Sequence, residues 1–293
     1  RADAFALYDN NNIVPEDKIT YLTDMLTDRA IDFIVRNKFN PFFIYLSYNA
    51  VHTPLQAKQS DLDKFSNVQD KNRRTYDAMM YNMDEGIGKV IEALRKNNLE
   101  DNTLIFFIND NGGATNNASD NGWLRGMKGS KWEGGIRVAF MMKWPQQIRE
   151  GSVYTKPVSS LDIFPTSLAA AGAPIPYERL DGVDLFPYLK NSKTPHKDLY
   201  WRRGVAAAVR SGDWKLIRVQ SDPVLLFNLI KDDSETHNLA SKKPRKVKKL
   251  LKKLSKWEEG LTPPHWYSSM GDDNQIKKHR MEIVGREMER QLP

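Results

Sequence analysis

Residues 103–113 read TLIFFINDNGG, and this stretch sets the interpretation of the rest of the chain. Its first six residues are apolar or β-branched, which predicts a strand. The strand runs directly into Asn109, Asp110 and Asn111, followed by two glycines. Such residues are typical of a turn, but oxygen-bearing side chains at the carboxyl end of a strand in an open α/β sheet also bind ligands. On this stretch alone both interpretations stay open.

Length and composition predict a globular protein with one large domain, or with one large and one small domain. The chain has 293 residues, of which 40% are hydrophobic and 28% charged. Its apolar runs are too short to cross a bilayer, so we expect no membrane partner. It opens with RADAF and no apolar leader, so no signal peptide is expected at this end. Cysteine is absent, which excludes disulfides, thiolate metal sites and a cysteine nucleophile.

The net charge of +7 comes from one segment. Residues 242–256 contain nine Lys or Arg and no acidic residue. Apolar residues recur there at helical spacing, which predicts an amphipathic helix from Pro244 to Lys256. We expect this helix to dock through its apolar stripe and to leave its lysines in solvent. The lysines are not interleaved with aromatic residues, so a nucleic-acid partner is not expected.

Helices and strands alternate in the first part of the sequence. Helical periodicity covers residues 21–38, 73–96 and 161–171, and β-prone apolar runs cover 42–46, 103–108 and 138–144. This order predicts parallel strands joined by crossover helices.

After about residue 200 the pattern changes. Residues 205–210 and 214–219 flank Ser-Gly-Asp and predict a hairpin. A third strand over 225–230 and the basic helix would complete a small antiparallel subdomain. Residues 272–290 are expected to form a polar helix.

Polar loops follow the first two predicted strands. His52 lies after one strand, and Asp110 with Asn111 lies after the other. In a parallel sheet these loops share one edge. The oxygens of Asp110 and Asn111 suit a divalent cation such as calcium, and a histidine can protonate a leaving alkoxide.

A glycine-rich basic segment over 124–137 precedes the third predicted strand, and Lys128 lies within it. Glycines allow close approach of the backbone, and a lysine there provides a positive charge for an anion. With His52 and Asp110, this lysine makes a set suited to hydrolysis of an oxyanion ester. Taken singly, each of these residues is more often structural.

Several motifs together, in order and spacing, resemble the type I sulfatases, which are calcium-dependent sulfate-ester hydrolases of the alkaline phosphatase superfamily. The resemblance covers residues 21 to about 257 and is greatest to bacterial carbohydrate sulfatases. The motifs are PFFIYLSYNAVHTPLQA (41–57), DNTLIFFINDNGG (101–113), NGWLRGMKGSKWEGGIRVAFMMKWP (121–145), SSLDIFPTSLAAAG (159–172), LDGVDLFPYL (180–189) and VRSGDWKLI (209–217).

The resemblance implies an α/β fold of the alkaline phosphatase type. A mostly parallel central sheet flanked by helices is expected, with a small C-terminal antiparallel subdomain that carries a helix. Residues 1–198 would then be the remainder of the catalytic α/β domain, 199–260 the antiparallel subdomain, and 261–293 a C-terminal extension.

The resemblance also implies roles for individual residues. Asp110 and Asn111 match the family's second pair of calcium ligands. His52 matches the histidine that contacts the sulfate and the leaving oxygen as general acid, and Lys128 matches the lysine that binds the sulfate. Ala139 stands where proline is common, a departure that affects no catalytic residue.

Family members also carry an N-terminal acidic pair, which supplies the first calcium ligands, and a Cys- or Ser-x-Pro-x-Arg motif. The first residue of that motif becomes the formylglycine nucleophile. This chain has neither feature, so it resembles the C-terminal two-thirds of a sulfatase. We expect it to hold half of the metal site and half of the sulfate site, and to be inactive alone. From the resemblance we expect a periplasmic or secreted location.

The substrate expected from the resemblance is a sulfated mono-, oligo- or polysaccharide. Trp123 can stack on a sugar ring, with packing in the core or at its rim as the alternative. Arg125 and the pair Arg202-Arg203 can bind neighbouring sulfates, with bracing of its own loop as the alternative for Arg125. Two other functions stay open: a phosphate or phosphonate monoester hydrolase on the same scaffold, and a non-catalytic module that binds polyanions.

Overall fold

The computed structural model describes residues 6–191, 193–204, 206–219 and 222–262, which divide into two compact units. The first unit extends to Thr103 and includes Asn116–Ser119 and Trp144–Arg149. The second contains Leu104–Thr115, Asp120–Lys143 and the described residues from Glu150 onward. The helix expected over 272–290 lies outside the described residues. Within them, no helix combines the length and the apolar character that crossing a membrane requires.

The first unit is built on two long helices that pack against each other. Both were predicted from helical periodicity, over 21–38 and 73–96, and both are confirmed. In chain order its elements are β1 (Tyr8–Asp9), β2 (Asn12–Ile13), α1 (Leu22–Asn37), α2 (Gln59–Leu62) and α3 (Lys71–Lys96).

A glycine allows the close approach of α1 and α3. A Cβ on Gly86 of α3 would fall 2.5 Å from the Thr27 hydroxyl of α1. That hydroxyl lies 2.8 Å from the Tyr48 hydroxyl and donates to the Thr23 carbonyl at 2.8 Å. The same contact therefore fixes both helices and the segment that precedes His52.

Residues 42–46, predicted as a strand covered on both faces, do not form one. Their side chains alternate as in extended backbone: Phe42 and Ile44 are half-buried, whereas Phe43 and Tyr45 are 74% and 83% exposed. Among the described residues no strand pairs with this segment. A strand requires a hydrogen-bonded neighbour as well as a β-prone sequence, which is why the prediction was wrong here.

The second unit contains two antiparallel sheets and four α-helices within the part of the chain that the structure describes. Its elements are β3 (Ile105–Ile108), α4 (Glu133–Ile136), β4 (Phe140–Lys143), α5 (Ile163–Ala170), α6 (Phe186–Asn191), β5 (Asp198–Arg203), β6 (Ala206–Ser211), β7 (Trp214–Val219), β8 (Leu225–Asn228) and α7 (Pro244–Glu259).

Strands β3 and β4 pair antiparallel, with Ile105 opposite Lys143 and Ile108 opposite Phe140. The parallel arrangement expected for these two strands was therefore wrong. The connection over 109–139 leaves the sheet after Ile108 and re-enters it at Phe140, so its two ends lie next to each other on paired strands. All the candidate residues of this unit lie on that connection.

The C-terminal sheet has the strand order β5-β6-β7-β8, with every pair antiparallel. The predicted hairpin is confirmed: Ser211 lies opposite Trp214 across a two-residue turn. Gly212 occupies that turn with a φ of 59°, a left-handed angle that favours glycine. The third predicted strand is also present but ends at Asn228.

Both faces of this sheet are covered. Leu250 and Leu254 of α7 pack with Val209, Leu216 and Leu226 on one face. On the other face Trp132 packs with Ala208, Ile217, Phe227 and Leu229. The apolar stripe of the basic helix is therefore docked, as predicted, and the 109–139 connection is attached to the opposite face through Trp132.

One lysine of the basic helix is an exception to the solvated face. The Lys253 ammonium lies 2.5 Å from Asp198 of β5 and donates to the Ser211 hydroxyl at 3.0 Å. Burial alone would raise the pKa of Asp198, but the hydrogen bonds from Lys253 and Ser211 hold it below its usual value. Lys253 thus fixes where α7 crosses the sheet.

We expect Leu254→Ala to lower the free energy of unfolding by roughly 2–5 kcal/mol, because it removes a fully buried side chain between α7 and the sheet. Lys249→Ala, on the exposed side of the same helix, should change it by less than about 0.5 kcal/mol. Urea denaturation of both variants measures this. Equal losses would show that the stripe does not anchor the helix.

Candidate active site

The loop that holds Asp110 and Asn111 lies directly against the loop that holds Lys128. The Lys128 amide donates to the Gly113 carbonyl at 2.8 Å, and the Gly112 amide donates to the Gly135 carbonyl at 3.2 Å. A Cβ on Gly112 would fall 1.7 Å from the Gly134 carbonyl oxygen, so only glycine allows this approach. The two glycine-rich segments are therefore placed together, as the sequence led us to expect.

Asn121 joins the same two loops from the side. Its Oδ1 accepts from the Gly113 amide at 2.9 Å, and its Nδ2 donates to the Gly126 carbonyl at 2.9 Å. Sequence reasoning missed this residue. An asparagine before a glycine is usually part of a turn, and nothing local distinguishes it from one that connects two loops.

Lys128 stands at the tip of a tight turn. The Ser130 amide donates to the Met127 carbonyl at 3.0 Å, and Gly129 has a φ of 92°, as the third residue of a type II turn requires. The Lys128 side chain is exposed and has no carboxylate partner among the described residues. Its ammonium is therefore available to an anion.

The side chains of Asp110 and Asn111 make no hydrogen bond to any described residue; Asp110 is exposed and Asn111 half-buried. Their oxygens are free to bind a cation, and the pair suits part of a calcium shell of six to eight oxygens. The described residues contain no cluster of three or more His, Cys, Asp or Glu suited to a metal. Further ligands would have to come from outside this pair, and metal binding here stays a prediction.

Trp123 and Arg125 differ in how they are held. The Trp123 ring is 67% exposed, and its indole nitrogen donates to Asp233 at 3.0 Å, which leaves a ring face at the surface. Arg125 is half-buried: its guanidinium lies 4.0 Å over the Trp132 ring and donates to the Glu235 carbonyl at 3.0 Å. These contacts favour the loop-bracing alternative for Arg125, and sugar stacking stays a prediction for Trp123.

His52 belongs to the first unit and lies on an exposed loop. Its amide donates to the Asn49 carbonyl at 2.9 Å, and Asn117 donates to the Val51 carbonyl at 3.3 Å. The His52 Nδ1 lies 2.7 Å from the Thr53 carbonyl, which can only accept, so we assign a proton to Nδ1. Nε2 is then the ring nitrogen left for a substrate.

A buried group of charges underlies the glycine-rich loop, and sequence reasoning missed it. Lys215 of β7 is fully buried and lies 2.8 Å from Glu133 of α4 and 2.8 Å from Glu235. A second cation, Arg210, lies 3.7 Å from Glu133, so two positive and two negative charges balance. The available signal was a lysine within the apolar run WKLI, which argues for an internal partner.

Glu235 connects this charge group to the backbone of the loop. Its Oε2 accepts from the Glu133 amide at 2.5 Å. Burial raises the pKa of Glu235, and the neighbouring Lys215 opposes that effect. Since Glu235 also accepts from Arg125, it fixes the loop at both ends of the segment that carries Lys128.

Lys131 is the opposite case: a buried lysine for which the described part of the chain provides no partner. It is 5% exposed and makes no hydrogen bond or ion pair to any described residue. Burial, together with the nearby cations Arg203 and Lys215, lowers its pKa to about 8. Sequence reasoning did not single it out.

Two protein-family models match the chain. The model described as Sulfatase matches residues 3–173, and the model described as N-sulphoglucosamine sulphohydrolase, C-terminal, matches residues 122–260. The two overlap on the loop that carries Lys128.

The chain is similar to several known proteins. It is 30% identical to the uncharacterized sulfatase YdeN of Escherichia coli, over 93% of this chain and 56% of that protein. It is 33% identical to human N-acetylgalactosamine-6-sulfatase, over 62% of this chain and 35% of that protein. It is 37% identical to the crystal structure of Ps i-CgsB, with a TM-score of 0.86, over 95% of this chain and 62% of that one.

These likenesses confirm the expected fold class, an α/β protein of the alkaline phosphatase type with a small C-terminal antiparallel sheet and a helix. The chain spans about half the length of the curated relatives that match most of it. Ps i-CgsB has also been solved in complex with k-i-k-neocarrahexaose.

We expect Lys131→Met to raise the free energy of unfolding at pH 7 by roughly 2–3 kcal/mol, because it removes an unpaired buried charge and keeps the side-chain stem. The folded pKa of Lys131 lies near 8, below the ordinary 10.5, so its charge costs stability fully below pH 8. The advantage of the variant should therefore shrink between pH 8 and 10.5. Denaturation across this range measures it, and a variant less stable than wild type at pH 7 would contradict the unpaired state.

Proposed function

Because the chain belongs to the sulfatase family, whose members are sulfuric ester hydrolases, we propose that it forms part of an enzyme that removes sulfate from a sulfated carbohydrate. The observation that carries the proposal is the contact between two loops: the Lys128 turn donates a backbone hydrogen bond to the loop of Asp110 and Asn111. An unpaired ammonium on one loop and two free oxygen ligands on the loop bonded to it suit an anionic ester held by a cation and a lysine.

The carbohydrate class is supported by relatives. Human N-acetylgalactosamine-6-sulfatase is named for a sulfated sugar, and Ps i-CgsB was solved with k-i-k-neocarrahexaose. The exposed ring of Trp123 adds a surface on which a sugar can stack. The proposal includes a periplasmic or secreted location, on the family resemblance alone.

Asp110 and Asn111 would hold calcium together with ligands from outside this pair. When bound, the ion supplies positive charge that neutralises the sulfate oxygens. The nucleophile of the proposed enzyme is a formylglycine, and this chain carries no precursor for it in the expected motif.

His52 and Lys128 have different tasks in this proposal. His52 has its Nδ1 proton held by the Thr53 carbonyl, so in its doubly protonated form Nε2 gives a proton to the leaving sugar oxygen. Lys128 makes no proton transfer; its ammonium stabilises the charge of the sulfate itself.

The direct test uses a protein in which this chain follows an N-terminal segment with the formylglycine motif. Sulfate release from sulfated saccharides, measured by ion chromatography, should exceed phosphate release from the matching phosphate esters. Faster release of phosphate would favour the sister hydrolase, and release of neither would favour the binding module.

Substitutions in that protein separate the two roles. Sugar alkoxides leave poorly without a proton, so His52→Ala should slow a sugar sulfate by roughly 10²–10⁴-fold and a nitrophenyl sulfate far less. Lys128→Ala should slow both substrates, and Lys156→Ala, at an exposed lysine, should slow neither. Equal losses on both substrates for His52→Ala would make it a sulfate-binding residue instead of the acid.

A further inference from the structure

We propose that Lys131 and Arg203 form a second anion-binding position beside the Lys128 turn, which takes a second acidic group of the substrate. The identity of that ligand as a substrate rests on the proposed function, whereas the anion position itself does not.

Lys131 is a buried cation and Arg203 an exposed one, and neither is paired with a carboxylate among the described residues, as several cations of the second unit are. Lys215, Arg210, Lys253, Arg218 and Arg137 all lie within 4 Å of a carboxylate. Neither Lys131 nor Arg203 has such a partner among the described residues, although Lys131 is only 5% exposed. A lysine side chain so largely removed from water needs a counter-charge, and the described residues provide none.

Arg203 brings its charge to the sulfate-binding turn. Its Nη1 lies 2.8 Å from where a Cβ on Gly129 would stand, so the guanidinium rests on the residue next to Lys128. The field of Arg203 also reaches Lys131, whose pKa it lowers. Cations that repel one another in this way bind an anion more favourably than either would alone.

The position is distinct from that of Lys128. Lys128 is exposed at the tip of its turn, whereas Lys131 follows the turn and is buried. One sulfate at Lys128 therefore leaves the charge of Lys131 unbalanced. A saccharide that carries a second sulfate or a carboxylate close to its first sulfate balances the charges of both Lys128 and Lys131. A monosulfated saccharide balances only one of them.

The anion position is tested first by the stability of the protein that also contains the N-terminal segment. In sodium chloride Lys131→Met should melt at a higher temperature than wild type, because an unpaired charge is gone. In sodium sulfate at the same ionic strength, sulfate at the Lys128 position stabilises both proteins, whereas sulfate at the second position stabilises wild type alone, so the gap in Tm should fall to about half or less. Potassium acetate in place of sulfate shows whether a carboxylate is also accepted.

Two controls accompany this measurement. Lys156→Met removes an exposed lysine, and its gap in Tm should be the same in both salts. In proteins that also carry Arg203→Met, sulfate should reduce the Tm difference between Lys131→Met and its parent by less, since one of the two cations of the anion-binding position is gone. If the Tm difference between Lys131→Met and wild type is the same in chloride and in sulfate, the proposal is overturned, because a lysine with only a structural role gives that result.

Kinetics then test the substrate. For a disulfated saccharide Lys131→Met should raise KM by about tenfold with little change in kcat, and for its monosulfated counterpart KM should change by less than about twofold. An equal change for both saccharides would overturn the subsite. If neither is hydrolysed while the gap in Tm still depends on sulfate, the proposed function fails and the anion position stands.

Discussion

The buried ammonium of Lys215 is the contact on which the second unit depends. It lies between two glutamates, one on the short helix α4 and one on the loop after β8, at 2.8 Å from each. Such a group adds little stability compared with apolar packing, but loss of the lysine leaves two buried carboxylates with only Arg210, 3.7 Å from Glu133, as a counter-charge. The charge group matters because it fixes the position of the glycine-rich loop: only one arrangement of that loop on the sheet pairs all the buried charges of the group.

That arrangement sets where the candidate site lies. Glu133 begins α4, and Trp132 before it packs on the C-terminal sheet. The turn with Lys128 comes a few residues earlier and is bound to the loop of Asp110 and Asn111 by backbone hydrogen bonds. A small antiparallel sheet thus holds the loop that carries Lys128, the residue proposed to bind the sulfate.

The cations on and around this loop form two groups, one paired with carboxylates and one unpaired within the described part of the chain. Lys215 and Arg210 are neutralised by Glu133 and Glu235, so they serve the fold. Lys128, Lys131 and Arg203 have no carboxylate partner among the residues the structure describes, so they are available to a ligand. The unpaired state of a buried lysine lowers stability, a cost often found where a protein keeps a site ready for binding.

Part of this structure was predictable from the sequence. Helices α1, α3 and α7 follow from apolar periodicity, and the β6–β7 hairpin from its Ser-Gly-Asp turn, because these signals are local. Pairing is not local: the segment over 42–46 has a β-prone sequence but no neighbour, and β3 and β4 pair antiparallel.

The candidate site was also predictable only in part. Residue type and motif identified Lys128 and the Asp110–Asn111 pair, whose loops do lie together. Lys215 pairs with Glu133 from 82 positions along the chain, and the cations near Lys131 are Arg203 and Lys215, which are also remote in sequence, so no local pattern reveals either environment.

Hydrogen exchange on Lys215→Met tests most directly whether the charge group holds the site in place. The amides to follow are those of Gly112 and Lys128, which bond to the facing loop, with Lys249→Met as the surface control. The expected result is faster exchange at both amides, with a smaller change in the β6–β7 ladder and none in the control. Unchanged protection at Gly112 and Lys128, with the variant folded, would show that the loop keeps its position without the buried lysine.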